Sequence, residues 1–221
     1  MAIDAALPKD QRILLAAEQV FSRSGYLHAT LDEIIRVADV GKGTVYKYFG
    51  NKEQLFYKLV CLKNEPFVAR LRQSVAEGRD FPDKLYRYFY EMGTFYEKNM
   101  ALWQIIFFEM LGDNSGSIVT REGGEYKVVS RYMLEVSEAV KERLIRYYIV
   151  LEREAAILKE LLTAGMADGI LKDGDVAAIT DHLFFSVAMF IFHPHPLNGN
   201  MTMEEAARLA VDRHLYGLAR R

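Results

Sequence analysis

Cysteine is almost absent from this chain of 221 residues, in which Cys61 is the single copy. One cysteine excludes an intramolecular disulfide and a cysteine-rich zinc site. Long apolar runs are absent too: the longest, 183–192, contains Ser186 and is far shorter than the roughly 20 residues that cross a bilayer. The N-terminus has no apolar core of signal-peptide length. These absences predict a cytoplasmic protein with no membrane partner.

The chain also lacks an excess of either charge. It carries 28 Lys and Arg against 30 Asp and Glu, a formal net charge of −2. No global basic field therefore indicates a nucleic-acid partner, and function must be sought in local patterns. Hydrophobic residues make up 51% and charged residues 26%, which is the composition of a globular protein.

Known catalytic motifs are missing as well. The sequence has no Gly-x-Ser-x-Gly, no phosphate-binding or dinucleotide glycine loop and no His-Glu-x-x-His. His193 and His195 alternate with prolines and lack the helical spacing of a zinc pair, so a plain loop is the simpler interpretation. We predict no catalytic residues, no metal and no cofactor.

Apolar residues recur with helical spacing along almost the whole chain, and no run shows the strict alternation of a half-buried strand. Thr30 with Glu33, and Thr202 with Glu205, have the spacing of capping boxes that open helices. A long helix is predicted within the stretch from Glu125 to Ala164, which lacks Gly and Pro. The sequence therefore predicts an all-α protein of about nine helices.

A basic and aromatic segment stands out near the N-terminus. Two short helices are predicted on either side of Asp39 to Gly41, the second running from about Lys42 to Phe49. Two short helices joined by a tight turn can place the second one in the major groove of DNA. Residues 40–52 contain three lysines and no acid, and ammonium and hydroxyl groups are suitable donors to phosphate oxygens.

Residues 30–55 resemble the helix-turn-helix region of the tetracycline-repressor (TetR) family. The resemblance depends on the run Gly-Thr-Val-Tyr-Lys-Tyr-Phe at 43–49 and on Asn-Lys-Glu-Gln-Leu at 51–55, and extends over about residues 10–60. It implies a helix-turn-helix DNA-binding domain at 8–58, followed by a helical ligand-binding and dimerisation domain at 59–221. It also implies a homodimer formed through the last two helices.

The resemblance assigns DNA contacts to individual residues. Positions matching Lys42, Gly43 and Tyr46 face base edges in the family. The phosphate backbone is held by positions matching Thr44, Lys47, Tyr48 and Lys52, with help from the start of the second helix near Thr30. Asp39 stands where family members commonly have glycine, although aspartate tolerates left-handed backbone better than most residues.

Aromatic residues are concentrated between Phe81 and Leu111. A packed core and a ligand pocket explain this band equally well, and the same side chains can serve both purposes. As the lining of a pocket for a flat or apolar inducer, the sequence favours Tyr88, Phe89, Met92, Trp103, Phe107 and Phe108.

The leading hypothesis is a ligand-responsive transcriptional regulator, a repressor that leaves a palindromic operator when it binds a small apolar or aromatic molecule. The alternative is a helical small-molecule-binding or enzymatic protein whose N-terminal domain no longer recognises DNA. A third possibility keeps DNA binding but has no inducer. The identity of the inducer and the operator sequence do not follow from the residues.

Overall fold

The computed structural model describes residues 3–111, 116–192 and 201–215. Within these ranges the chain forms nine helices and one hairpin: α1 (Lys9–His28), α2 (Leu31–Ala38), α3 (Lys42–Phe49), α4 (Lys52–Ala76), α5 (Phe81–Lys98), α6 (Met100–Leu111), β1 (Ser117–Glu122), β2 (Glu125–Ser130), α7 (Glu138–Ala167), α8 (Val176–Phe192) and α9 (Met203–Leu215). The predicted helical fold class is confirmed. His193 and His195 lie outside the described residues.

The chain folds as two compact units. Unit 1 comprises Met1–Asn64 and Ala101–Tyr148, and unit 2 comprises Glu65–Met100 and Ile149–Arg221. Helices α4 and α7 each contribute residues to both units. The domain division at residue 58 stays a prediction. None of the helices in the described ranges is long and apolar enough to cross a bilayer.

Unit 1 begins with three helices that pack on one another, α1 against α2 and α3, and α2 against α3. Each helix buries one apolar stripe, as its periodicity predicts; α1 buries Ile13, Ala16, Ala17, Val20 and Phe21. The Thr30 hydroxyl caps α2 by accepting from the Glu33 N–H at 3.1 Å. The Asn51 side chain does the same at the start of α4 by accepting from the Gln54 N–H at 2.8 Å.

The antiparallel hairpin β1–β2 overturns the expectation that no segment forms a strand. Gly123 and Gly124 make its turn with φ of +59° and +90°, and Val119 pairs with Val128. Positive φ at both central residues is typical of two-residue hairpin turns. Adjacent apolar pairs in each strand conceal the alternation, but β-branched runs on both sides of Gly-Gly were the signal of a hairpin. Helix α7 accordingly begins only at Glu138.

In unit 2, α5 packs against α8 and α9. Aspartate caps open α5, where Asp80 accepts from the Asp83 N–H, and α8, where Asp175 accepts from the Ala177 N–H. The capping box predicted for α9 is complete: Thr202 accepts from the Glu205 N–H at 3.2 Å, and Glu205 accepts from the Thr202 N–H at 2.8 Å. These caps explain where the helices begin.

Gly165 allows the close approach of α7 to the ring of Phe81 in unit 2. A Cβ at residue 165 would lie 2.5 Å from Cε2 of this buried ring. By contrast, a Cβ at Gly43 on α3 would meet nothing within 4 Å. The two glycines therefore differ in the space available for a methyl group.

We predict opposite effects for the same substitution at these two positions. Gly43→Ala should raise the free energy of unfolding by about 0.5–1 kcal/mol, the usual gain when alanine replaces a helical glycine. Gly165→Ala should lower it by about 1–3 kcal/mol, because the new methyl group collides with Phe81. Urea unfolding measures both values, and a stabilised Gly165→Ala protein would contradict the packing described here.

Candidate DNA interface and ligand-binding region

The turn between α2 and α3 is held from outside by α1. Asp39 adopts left-handed geometry, with φ 50° and ψ 55°. The guanidinium of Arg12 donates to the Asp39 carbonyl at 2.6 Å and reaches its carboxylate at 3.2 Å. Arg12 thereby ties α1 to the turn that precedes α3. The role of Arg12 could not be predicted from the sequence, because no local pattern links it to Asp39, 27 positions later in the chain.

Helix α3 presents a basic and hydroxyl-bearing face to solvent. Val45 and Phe49 are buried, as their spacing predicts. The residues predicted to contact DNA and left exposed on this helix are Lys42, Gly43, Tyr46, Lys47 and Tyr48, with Thr44 half-buried. Helix α3 contains no acid, although Asp32 of α2 forms an ion pair of 3.2 Å with Lys42. The Lys42 ammonium is therefore already paired within unit 1.

Thr30 and Lys52 are placed differently from the residues of α3. Thr30 is exposed at the start of α2, where its hydroxyl serves as the cap. The Lys52 ammonium donates to the carbonyls of Tyr26 at 2.8 Å and Ala29 at 3.0 Å, and lies 4.4 Å from the centre of the Tyr26 ring. We call this set of contacts the Lys52 clasp. Burial within it lowers the pKa of Lys52.

Glu33 makes one of the two hydrogen bonds of the predicted capping box. Its N–H is capped by Thr30, but its carboxylate pairs with Arg23 of α1 rather than with the backbone of Thr30. This contact adds a second tie between α1 and α2. Together with the Arg12 and Lys52 contacts, it joins α2 and the turn before α3 to α1 and α4 in unit 1.

The six aromatic and methionine residues predicted to line a pocket are distributed over both units. Tyr88, Phe89 and Met92 are buried on α5 in unit 2. On α6 in unit 1, Trp103 and Phe107 are buried and Phe108 is exposed. The lining as a set stays a prediction.

A buried carboxylate lies beside two of these aromatic positions in unit 2. Glu154 on α7 is fully buried. The Tyr96 hydroxyl donates to its carboxylate at 2.5 Å, and the Tyr88 hydroxyl donates to its carbonyl at 3.1 Å. Burial, with Glu154 as a further cause, raises the pKa of both tyrosines well above the usual value, so their hydroxyls stay neutral donors. Unit 2 thus holds a polar group inside an aromatic core.

A cavity of about 120 Å³ lies among α5, α8 and α9 of unit 2. Its walls are mainly apolar, and include Phe89, Phe190 and Met203. Two basic side chains, Arg213 and His214, also line it. The His214 Nδ1 lies 2.7 Å from the Ala210 carbonyl and its Nε2 lies 3.4 Å from the Ser186 hydroxyl. The cavity is suited to an apolar group rather than to a sugar or a free ion.

Known proteins are similar to this chain in sequence, in the N-terminal helices and beyond them. Residues 13–59 match the family model described as bacterial regulatory proteins, tetR family. The fatty acid metabolism regulator protein of Bacillus subtilis is 26% identical over 181 residues, which are 81% of this chain and 80% of that protein. The match to this relative therefore extends well beyond the helix-turn-helix segment.

Solved structures share the fold along nearly the whole chain. The fatty acid degradation regulator FadR from Bacillus halodurans superposes with a TM-score of 0.71 at 22% identity, covering 99% of this chain and all of that one. FadR from Bacillus subtilis, solved with stearoyl-CoA, gives a TM-score of 0.69 at 18% identity, covering 95% of this chain and 99% of that one.

One assignment follows from the turn and exposed helix of unit 1, from the family model that matches them, and from the relative of similar length. The chain belongs to the TetR family and is a ligand-responsive, DNA-binding regulator of transcription.

Proposed function

We propose that this regulator is a repressor that binds a palindromic operator as a homodimer and leaves it when a molecule with a long apolar part binds unit 2. The observation that carries the proposal is the solvent-exposed, acid-free face of α3 on a turn fixed by Arg12. Such a face donates to phosphates and base edges together, as a recognition helix must.

The DNA contacts divide by chemistry. Lys42, Gly43 and Tyr46 lie on the exposed side of α3 and are assigned to base edges. Thr44, Lys47 and Tyr48 are assigned to the phosphate backbone, with Thr30 at the start of α2. The clasp favours a different role for Lys52, which is to hold the α1–α2 connection against α4.

The salt dependence of DNA binding separates these two roles. Lys47→Gln should weaken binding to every duplex and lower the salt slope by about one unit, because one phosphate loses its counter-charge. Lys52→Gln should weaken binding with an unchanged slope, because it disturbs the position of α2. Fluorescence anisotropy of a labelled duplex between low and physiological salt measures both slopes. An equal fall for the two variants would restore Lys52 as a phosphate contact.

A fatty acyl group is the proposed apolar part of the inducer. The similar protein solved with stearoyl-CoA supports this class, and so do the apolar walls of the cavity in unit 2, which at about 120 Å³ must widen to hold a long acyl chain. Helix α4 supplies a covalent route to the reading helices, since it starts beside the Lys52 clasp and continues into unit 2. A ligand acts along this route only by binding one arrangement of the protein better than another.

Ligand and DNA should therefore weaken each other by the same factor, typically about 5- to 150-fold. The test is a titration of stearoyl-CoA into a preformed complex with a duplex enriched from a random pool, repeated without DNA. Stearoyl-CoA should release the duplex, whereas coenzyme A without an acyl chain, the matched control, should not. Tight stearoyl-CoA binding that saturating duplex leaves unchanged would contradict the inducer mechanism and leave DNA binding intact.

The homodimer is proposed to form through α8 and α9, as the family resemblance implies. Apolar side chains on both helices are partly exposed within unit 2. Phe185 and Met189 on α8 do not line the cavity, whereas Phe190 on α8 and Ala206, Leu209 and Ala210 on α9 also line it. A two-fold axis would bury the same face of both subunits.

A carboxylate placed in this face should separate the subunits. Because the interface is isologous, Met189→Glu buries two unpaired charges per dimer and should raise the dimer dissociation constant by at least about 100-fold; Met189 does not line the cavity of unit 2. Arg208→Glu lies on the exposed side of α9 beside Glu204 and Tyr86 and serves as the control. Sedimentation equilibrium measures both, and an unchanged dimer in Met189→Glu would place the interface elsewhere.

A further inference from the structure

A cleft of about 430 Å³ lies in unit 1 between the end of α1 and α6. This volume falls within the roughly 300–1,000 Å³ of small-molecule sites. The cleft forms where α1 loses helical geometry at Gly25, whose φ is +69°. Leu27 and Phe108, which line it, are 81% and 52% exposed. We call it the α1–α6 cleft. The cavity proposed for the inducer lies in unit 2, and none of the residues assigned to DNA lines the cleft, although Tyr26 takes part in the Lys52 clasp and Phe108 is among the residues predicted to line an inducer pocket.

The walls of the α1–α6 cleft combine flat rings with a few polar groups. The rings of Phe21 and Tyr26 lie 5.7 Å apart, and Phe108 lies on α6. The polar groups are the side chains of Ser22, His28, Gln104 and Glu109. Apolar walls with a small number of polar groups are typical of sites that bind one oriented small molecule.

A buried hydroxyl close to the cleft lacks a partner. Tyr147 on α7 is 1% exposed, and its phenolic oxygen has no hydrogen-bond partner among the described residues. Burial chiefly raises the pKa of Tyr147, and Tyr26 and Glu109 raise it further. The ring of Phe56 lies 6.0 Å from that of Tyr147 and 5.0 Å from that of Tyr26, so Tyr147 lies behind the wall of the cleft without lining it. Buried polar groups are usually paired, so the region next to the cleft is incompletely satisfied.

Charge decides which ligand suits the cleft. The carboxylate of Glu109 lies 3.2 Å from Arg143 Nε, so its charge is already compensated and does not require a cation. The same carboxylate repels an anion. A neutral N–H or O–H group, however, can donate to Glu109 or to the amide oxygen of Gln104.

We propose that the α1–α6 cleft is a second small-molecule site, for an uncharged planar aromatic molecule that carries one N–H or O–H donor. The ring lies against Tyr26 and Phe108, and the donor faces Glu109 or Gln104. The site is separate from the acyl site proposed for unit 2. Because α1 packs on α2 and α3, the site adjoins the DNA-reading helices.

The probe for this site is 5-fluoroindole, followed by ¹⁹F NMR with the full chain. The resonance should broaden saturably with the wild-type protein. Its N-methylated analogue should bind several-fold more weakly, because it keeps the ring and loses the donor. Phe108→Ala should also weaken binding several-fold, since it removes one aromatic wall.

Two tryptophan variants of α1 locate the probe. Ser22→Trp fills the cleft and should abolish broadening, while Ser24→Trp, the same change two residues later, does not line the cleft and should leave binding intact. Circular dichroism checks that both fold. The proposal is overturned by a sharp wild-type resonance at millimolar probe, by broadening that persists in Ser22→Trp and Phe108→Ala, or by equal affinity for the N-methylated analogue.

Discussion

The Lys52 clasp is the contact on which the DNA-reading end of unit 1 depends. Helix α1 is broken at Gly25, three residues before its end, which leaves carbonyls near the α1–α2 connection without helical partners. The ammonium of Lys52 donates hydrogen bonds to the carbonyls of Tyr26 and Ala29. Hydrogen bonds from a charged donor contribute about 1.5–3 kcal/mol each. The first residue of α4 is thereby tied to the residue that precedes the α2 cap. A shift of α4 must move the start of α2 or break these bonds.

The Lys52 clasp lies in a unit that extends beyond the three N-terminal helices. The unit that holds the reading helices also contains α6 and the first residues of α7. Arg146 of α7 lies 3.8 Å from Glu53, the residue after Lys52, and Arg143 pairs with Glu109 of α6. Unit 1 therefore comprises more than the three N-terminal helices: within it, ion pairs join α7 to α4 and to α6.

Local patterns were sufficient to predict the elements that read DNA. Helix α3 begins and ends at the predicted residues, and the hydroxyl caps of Thr30 and Thr202 form as expected, because capping depends on residues a few positions apart.

Contacts between distant residues could not be predicted in this way. Arg12 and Asp39 meet only after α1 packs on α2, and Lys52 reaches the α1–α2 connection only in the folded unit. Glu154 is an intermediate case. It follows Leu151 by three residues on the apolar stripe of α7, so its position in the sequence could have indicated a buried acid. The aromatic band between Phe81 and Leu111 is ambiguous, because the same rings fill a core and line a pocket.

The central claim is that unit 1 reads a specific DNA sequence as half of a symmetric dimer. Selection of duplexes from a random pool by the full chain, at physiological salt, tests it directly. The account predicts enrichment of one pseudo-palindrome whose half-sites are centred about one helical turn, ~34–36 Å, or a multiple of it apart. A pool that retains its random composition after repeated rounds would contradict the account, and would favour a helical small-molecule-binding protein that no longer recognises DNA.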